Sequence, residues 1–348
     1  MRLLGQLNEL LRKHWRKAII IRDRVRLSEV AAEAGVTKGI ASRVLNGDPT
    51  VAVRPETRDR IHRVADELGY RPHAGARALA TARTMTLALV VPALDNPPYV
   101  TIARGAYRRA AELGYLALLA EDLPDRPPAI FDRARVDGVL VGSAVPGHPL
   151  LAHLAELGIP HVLVNRAVPG SGRNVTMAVG AASEVAVRHL VDLGHERIVA
   201  LAGPVDVEPS RERLAAFEDV VARARLPRLD AVHAGFSEGD AVAATDALLA
   251  GAPTAIVTSS LGQAIGILRG LHDRGVAVPR DVSVVAYDDF PIAEATIPAL
   301  TTVAMPLEEL GAAAVDELVA QLEGRPPRDV VIATEPRIVV RESTAPPL

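Results

Sequence analysis

Seven short runs dominated by Val, Leu, Ile and Ala recur along the chain: LALVV (87–91), YLALLA (115–120), GVLVG (138–142), HVLVN (161–165), IVALAG (198–203), AIVTS (255–259) and VSVVAY (282–287). Stretches of helical spacing lie between them. A strand that is apolar on both sides of its pleat has to be covered on both faces, which a parallel sheet flanked by helices achieves. The alternation therefore predicts an α/β fold with doubly wound parallel sheets. The pattern also occurs twice in similar form. TLALVVPALDNPPY precedes the helical stretch ARGAYRRAAELG, and RIVALAGPVDVEPS precedes RERLAAFEDVVARA. Two lobes of like build are expected, with a ligand cleft at their strand C-termini.

The chain upstream of these runs is different. Residues 25–47, VRLSEVAAEAGVTKGIASRVLNG, read as two short helices broken at Gly35, since glycine accepts the left-handed conformation that ends a helix. Leu27, Val30 and Ala31 line one face of the first. Thr37 is placed to cap the second, over Lys38–Leu45. Ala41, Val44 and Leu45 fall on one side of that helix; Lys38, Gly39, Ser42 and Arg43 fall on the other. The outer face is small, basic and rich in hydrogen-bonding groups, as a helix in the DNA major groove requires. On this stretch alone an ordinary helical hairpin remains open. A third helix, PETRDRIHRVADELGY, starts at Pro55 and closes at Gly69, with Val36, Ala41, Val44, Ile61 and Leu68 expected between the three.

Charge supports a polyanion partner for this part. The net charge of −3 conceals 17 Lys/Arg against 9 Asp/Glu in residues 1–84, and 22 against 33 in the remainder. A basic piece on an acidic body points to nucleic acid at the N-terminal end. The 348 residues suffice for two or three domains, and with only 3% aromatics the cores must be built from Ala, Val and Leu. The absence of cysteine excludes disulfides and thiolate metal sites and fits a reducing cytosol. No apolar run approaches the roughly 20 residues that span a bilayer. Asn8, Glu9 and the basic cluster from Arg12 to Lys17 break any secretory signal, so a cytoplasmic protein without a membrane partner is expected.

SEVAAEAGVTKGIASRVLNG resembles the DNA-binding headpiece of the lactose-repressor family of bacterial transcription regulators. The resemblance continues through RVDGVLV (135–141), HLVDLGHERI (189–198), DVSVVAYDDFPIAEATIPALTTV (281–303) and PLEELGAAAVDEL (306–318), and spans nearly everything from Val25 to about Glu342. It implies an all-α helix-turn-helix headpiece at 25–70, a hinge helix at 71–84 and a two-lobed, periplasmic-binding-protein-like effector and dimerisation domain at 85–348. Lobe 1 is expected at about 85–178 and 305–331, and lobe 2 at about 179–304 and 332–348. Residues 1–24, with Leu3, Leu4, Leu7, Leu10, Leu11 and Trp15 at helical spacing, read either as an amphipathic helix or as an extension from an upstream start codon, because family members usually begin near Val25.

The implied function is a regulator, in the first instance a repressor, binding a near-palindromic double-stranded operator as a homodimer under control of a small-molecule effector such as a sugar. Lys38, Gly39 and Arg43 would face bases, Thr37 and Ser42 phosphate, with Asn46 beside them. In the hinge, AGARALATARTM, His73 and Ala76 would touch DNA, and Leu79 would wedge between base pairs in the minor groove. Tyr99, stacked on the ligand, with Asn165, Arg213 and Asp288, would hold the effector. The chain departs from the family at several of these places. Gly75 and His73 make the hinge harder to fold. Ser260-Leu261 and Ala178-Val179 replace polar pairs of the cleft, and the connection over 120–138 is short and proline-rich. A less polar cleft is expected. Two alternatives remain: a solute- or sugar-binding protein, which should carry a secretion signal and no headpiece, and a regulator with lost or altered effector response. No G-x-G-x-x-G, P-loop or G-x-S-x-G motif appears in a fitting context. Ser143 lacks a neighbouring histidine in this reading, and the histidines are scattered. No cofactor, metal or catalytic activity is expected.

Overall fold

The computed structural model describes residues 25–48, 50–71, 78, 83–123 and 135–348. The expectations for residues 1–24, for His73, Ala76 and Leu79 of the hinge, and for most of the short connection after residue 120 lie outside the described residues. The chain divides into two compact units between Thr84 and Met85.

The first unit is a three-helix bundle: α1 (Leu27–Glu33), α2 (Lys38–Leu45) and α3 (Pro55–Leu68). Local chemistry sets each boundary. Gly35 turns left-handed at φ +63°, Thr37 Oγ1 accepts from the Ile40 amide at 3.3 Å, Pro55 occupies the first turn of α3, and Gly69 ends it at φ +69°. Val30, Ala31, Ala41, Val44, Val51, Ile61, Val64 and Ala65 form the core. Leu68, expected inside, is 38% exposed and does not pack on the bundle core, one residue before the Gly69 stop.

The second unit contains two six-stranded sheets. The first takes β1 (Thr86–Val91), β2 (Leu116–Glu121), β3 (Gly138–Val141), β4 (His161–Val164), β5 (Asn174–Thr176) and, from far down the chain, β11 (Val330–Val331), in the order β11-β5-β4-β3-β1-β2. The second takes β6 (Ile198–Ala202), β7 (Val232–His233), β8 (Ala255–Thr258), β9 (Ser283–Tyr287), β10 (Thr301–Ala304) and β12 (Arg337–Val339), in the order β12-β10-β9-β8-β6-β7. Every described strand pair is parallel except β10 with β12. The helices between them are α4 (Pro97–Glu112), α5 (Pro149–Glu156), α6 (Val179–Asp192), α7 (Glu208–Arg223), α8 (Glu238–Ala250), α9 (Leu261–Asp273), α10 (Ile292–Ala295) and α11 (Leu307–Leu322).

Each sheet is sandwiched between two apolar layers, which explains the unbroken apolar runs. Ile102, Leu310 and Leu318 cover one face of the first sheet, and Leu150 and Leu154 the other. Leu190 and Phe217 cover one face of the second, and Leu248 and Ile267 the other. Helices α4 and α11 cross so closely that a Cβ added at Gly311 would lie 2.1 Å from the Ile102 carbonyl oxygen. Arg108 and Arg109 then tie α4 to Glu308 and Asp316 of α11 at 2.7 Å each. The chain passes between lobes three times, after β5, after β10 and after β11. Phe290 and Met305 pack against cores of both lobes.

Candidate functional site

On the bundle, Ala41 and Val44 of α2 are buried, which turns Lys38, Gly39, Arg43 and Asn46 to solvent. Nothing lies within 4 Å of a Cβ built on Gly39, so this position offers backbone only to a partner. Arg43, at the end of α2, is held in place: Nε donates to Asp48 Oδ2 at 2.7 Å and Nη2 to Thr50 Oγ1 at 2.8 Å. Asp48 Oδ1 accepts from the Thr50 amide and hydroxyl. These donors hold the Asp48 carboxyl down at about 2, so it stays ionised and keeps the guanidinium aimed. Asn46 Nδ2 donates to Ser42 Oγ at 3.4 Å. Thr37 spends its oxygen on the helix cap. An arginine anchored through Nε and one N–H of Nη2 keeps the N–H groups of Nη1 and the second N–H of Nη2 for paired acceptors on a base edge.

In the second unit the two lobes carry matching devices. Asn165, just after β4, and Asp288, just after β9, both adopt left-handed backbone, at φ +73° and +68°. Asn and Asp tolerate this conformation better than other non-glycine residues. Each amide is tied to the neighbouring strand, Asn165 to the Val175 carbonyl and Asp288 to that of Val303, at 3.0 Å. Two polar side chains are thereby set at strand C-termini, where open α/β sheets take ligands.

Arg213 projects from α7. Nη1 donates to the Ser259 carbonyl at 2.7 Å, and the guanidinium stacks 4.6 Å from the centre of the Tyr287 ring. Tyr287 hydrogen-bonds Ser183 Oγ, which donates to the Arg213 carbonyl at 2.6 Å. Burial pushes the Tyr287 phenol up to about 12, so it remains a neutral donor. Asp288 is 2% exposed; burial raises its pKa, and the Arg213 charge acts against that rise. Four buried polar atoms here lack a hydrogen-bond partner: Ser210 Oγ, Arg213 Nε, Ser259 Oγ and Asp288 Oδ1. Such atoms are rare in native interiors and ask for a ligand or water.

Tyr99 does not stack on a ligand position. It is 4% exposed, its hydroxyl donates to the Gly142 carbonyl at 3.0 Å and accepts from Asn165 Nδ2 at 3.2 Å. Gly142 makes room for it, since a Cβ there would meet the ring at 2.8 Å. Tyr99 therefore positions Asn165. Asp288 and Asp289 diverge as adjacent residues should: Asp289 Oδ1 pairs with Arg341 at 2.8 Å and accepts from Thr302 Oγ1.

The departures at 178–179 and 260–261 also resolve. Val179 and Leu261 are core residues, 3% and 4% exposed, and Ser260 caps α9. The cleft wall nonetheless keeps Ser210, Ser259, Arg213 and Asp288, two of them serines with no sequence signal beyond their place near strand and helix ends. Ser143 does have a histidine nearby. Ser143 Oγ and His148 Nε2 both bond Asp122 Oδ2, the latter at 3.1 Å. His148 Nδ1 accepts from the Leu150 amide, so neither ring nitrogen is free to take a proton from the serine. Among the described residues no group of three His, Cys, Asp or Glu could hold a metal ion, and no helix is long and apolar enough to cross a membrane.

A basic helix-turn-helix bundle joined to a two-lobed α/β body with a polar cleft wall defines a ligand-linked DNA-binding regulator. The comparisons agree. Residues 26–73 match the family model for bacterial regulatory proteins of the lacI family, and residues 187–344 that for a periplasmic binding protein-like domain. The HTH-type transcriptional regulator CelR of Thermobifida fusca is 34% identical, covering 92% of this chain and 99% of the relative. Catabolite control protein A of Priestia megaterium is 29% identical, with 92% and 99% covered. Among solved structures, a CelR–cellobiose complex superposes with a TM-score of 0.68 at 32% identity, covering 92% of this chain and all of that one. The lac repressor dimer bound to operator and the anti-inducer ONPF does so with a TM-score of 0.80 at 25% identity, covering 93% and 100%. The chain belongs to the lacI family of bacterial regulatory proteins and is a DNA-binding transcriptional regulator.

Proposed function

We propose that the protein is a cytoplasmic, homodimeric repressor whose operator affinity is set by a sugar or related polyol bound between the lobes. The observation that carries the effector reading is the cluster of four unpartnered buried polar atoms at Ser210, Arg213, Ser259 and Asp288. A planar arginine fork beside a carboxylate suits vicinal hydroxyls, which both donate and accept. The sugar ligand named in the CelR–cellobiose complex points the same way. Asn165, at the C-terminal end of β4 in the other lobe, is oriented by Tyr99, whose hydroxyl accepts from its Nδ2 at 3.2 Å.

At the output end, Arg43, Lys38 and Gly39 contact bases, Thr37, Ser42 and Asn46 the backbone, and His73, Ala76 and Leu79 of the hinge the minor groove. The functional division follows: headpiece 25–70, hinge 71–84, effector and dimerisation domain 85–348. Two headpieces on one two-fold axis read two half-sites of a near-palindrome. The dimer surface is apolar: Val100, Tyr107 and Leu119 are about half exposed around a hollow of about 260 Å³ between α4 and the edge strand β2. Effector binding changes the angle between lobes, which Phe290 and Met305 bridge, and so favours or disfavours the hinge geometry DNA requires. Such coupling is typically worth about 1–3 kcal/mol.

A gel-shift titration against the chain's own promoter region tests the regulator, and a thermal-shift screen of sugars tests the effector. Sequence-specific binding by a dimer, weakened or strengthened by one saccharide and made unresponsive by Arg213→Ala, is the expected result. Stabilisation by the best saccharide that survives Arg213→Ala removes the cleft assignment.

A further inference from the structure

The turn after α2 folds back onto the helix it leaves. The Asp48 amide donates to the Arg43 carbonyl at 2.9 Å, and the Asp48 carboxylate comes round to the Arg43 side chain. Side chains then close a ring. Arg43 Nε donates to Asp48 Oδ2 at 2.7 Å, the Thr50 hydroxyl donates to Asp48 Oδ1 at 2.7 Å, and Arg43 Nη2 donates to Thr50 Oγ1 at 2.8 Å. The Thr50 amide also donates to Asp48 Oδ1, at 2.8 Å. The Thr50 hydroxyl gives its one hydrogen to Asp48 and a lone pair to Arg43, so each bond of the ring supports the next.

The ring occupies one edge of the guanidinium and leaves another. Nε and Nη2 make the side-on edge, which Asp48 and Thr50 fill. The end-on edge, made by Nη1 and the second N–H of Nη2, stays available and matches the O6 and N7 acceptors of guanine. The ring also neutralises a charge. The Arg43 side chain is half exposed on the basic face of α2. An unpaired arginine there would find a phosphate beside every base, and such contacts carry no sequence information. With a carboxylate at 2.7 Å the pair is neutral as a unit, and swinging the guanidinium to a phosphate breaks both of its bonds in the ring. The carboxylate is itself repelled by phosphates, which disfavours any placement that brings the turn against the DNA backbone.

We propose that Asp48 is a positioning residue that sets operator discrimination: it holds the end-on edge of Arg43 for a base and withholds that charge from the DNA backbone. The inference rests on Arg43 as a base reader and adds what keeps that arginine selective.

Fluorescence anisotropy of the full chain on two duplexes of equal length tests it, one carrying the site selected by the unsubstituted protein and one a scrambled version. Asp48→Ala should tighten binding to the scrambled duplex and steepen its slope of log K against log salt by about 1, one added phosphate contact. The site-to-scramble ratio should fall on the order of ten-fold. Asp48→Asn keeps an acceptor for the Thr50 amide but not the charge, and should lower the ratio similarly. Thr50→Val, which opens the ring from its other side, should lower it less. In an Arg43→Ala background, Asp48→Ala should leave the ratio where Arg43→Ala alone puts it, because no guanidinium remains to be held. A ratio unchanged in Asp48→Ala and Asp48→Asn, with the bundle's melting transition retained, overturns the inference. So does an equal fall in the absence of Arg43, or a parallel weakening on both duplexes, either of which makes Asp48 a structural residue of the turn. If Arg43→Ala itself leaves the ratio intact, the base-reading assignment fails and takes this inference with it.

Discussion

Ile61→Ala should unfold the DNA-reading bundle while sparing the body. Ile61 is fully buried at the centre of a core whose other members are almost all Ala and Val. Truncation removes three carbons, worth about 2.4 kcal/mol at roughly 0.8 kcal/mol per buried methylene. Residual cavity adds to this, and measured Ile→Ala changes run about 2–5 kcal/mol. A bundle of this size, without metal or disulfide, has roughly 3–5 kcal/mol to lose. Its small neighbours from α1 and α2 also have little reach to fill the void. The loss therefore approaches the whole stability of the unit. Calorimetry of the full chain should show the bundle's transition moving to low temperature or disappearing, with the transition of residues 85–348 unchanged. Operator binding in a gel shift should fall in parallel. An unchanged lower transition together with full DNA affinity would refute the claim that Ile61 anchors this core.

Gly311→Ala should have the opposite distribution. Its methyl would lie 2.1 Å from a backbone oxygen of α4, so the helices must separate, at a cost of about 1–3 kcal/mol in the body transition alone. Thr37→Ala removes the cap of α2 and should lower bundle stability by about 1 kcal/mol, read as a shift of its melting midpoint. Arg43→Ala should relax sequence preference in a randomised-site selection without altering dimerisation by sedimentation; an unchanged selected motif would dismiss Arg43 as a base reader. Stability should also depend on pH. His189 and His195 are held below the ordinary 6.5, first by burial; His189 bonds Thr344, His195 bonds Thr254 and the Ala345 carbonyl, and Asp192 lies near His189. As pH falls through 6.5 the unfolded chain takes up protons before the folded one does. Their contribution, present above that pH, is therefore lost progressively below it, and body melting points at pH 7.5 and 5.5 should show this. Replacing both residues with Gln should shrink the difference, leaving the share of His161, which burial also holds low.

Local rules made the bundle legible. A threonine one residue before a helix, a glycine at a left-handed turn and a proline in a first turn act within a few residues, and Thr37, Gly35, Pro55 and Gly69 sit in the roles their neighbours imply. The α/β body was legible for a related reason: strands buried on both faces must be apolar throughout, whatever their partners. Side-chain destinations were less accessible. Leu68 continues the helical spacing of α3 but is exposed and outside the bundle core, so spacing alone put it in the core wrongly.

The cleft shows the same limit more sharply. Family resemblance marked Arg213, Asp288, Asn165 and Tyr99, yet the order in which they act is a matter of three-dimensional contact. Tyr99, on helix α4, is an inward strut because Gly142, just after β3, leaves a hole for its ring. Asp288 and Asp289 part company because a left-handed turn aims one into the lobe while Arg341, more than fifty residues later, captures the other. Ser210 and Ser259 carry no motif between them, and they come together with Arg213 only because α7 and the end of β8 pack side by side in the second lobe. The sequence by itself determined the elements, the two-lobed α/β class and the DNA-reading helix, since propensity, capping and burial on both faces act locally. Only the tertiary structure decided which polar atoms are left unsatisfied and therefore what the cleft can hold, because hydrogen-bond satisfaction is a property of neighbours distant in the chain.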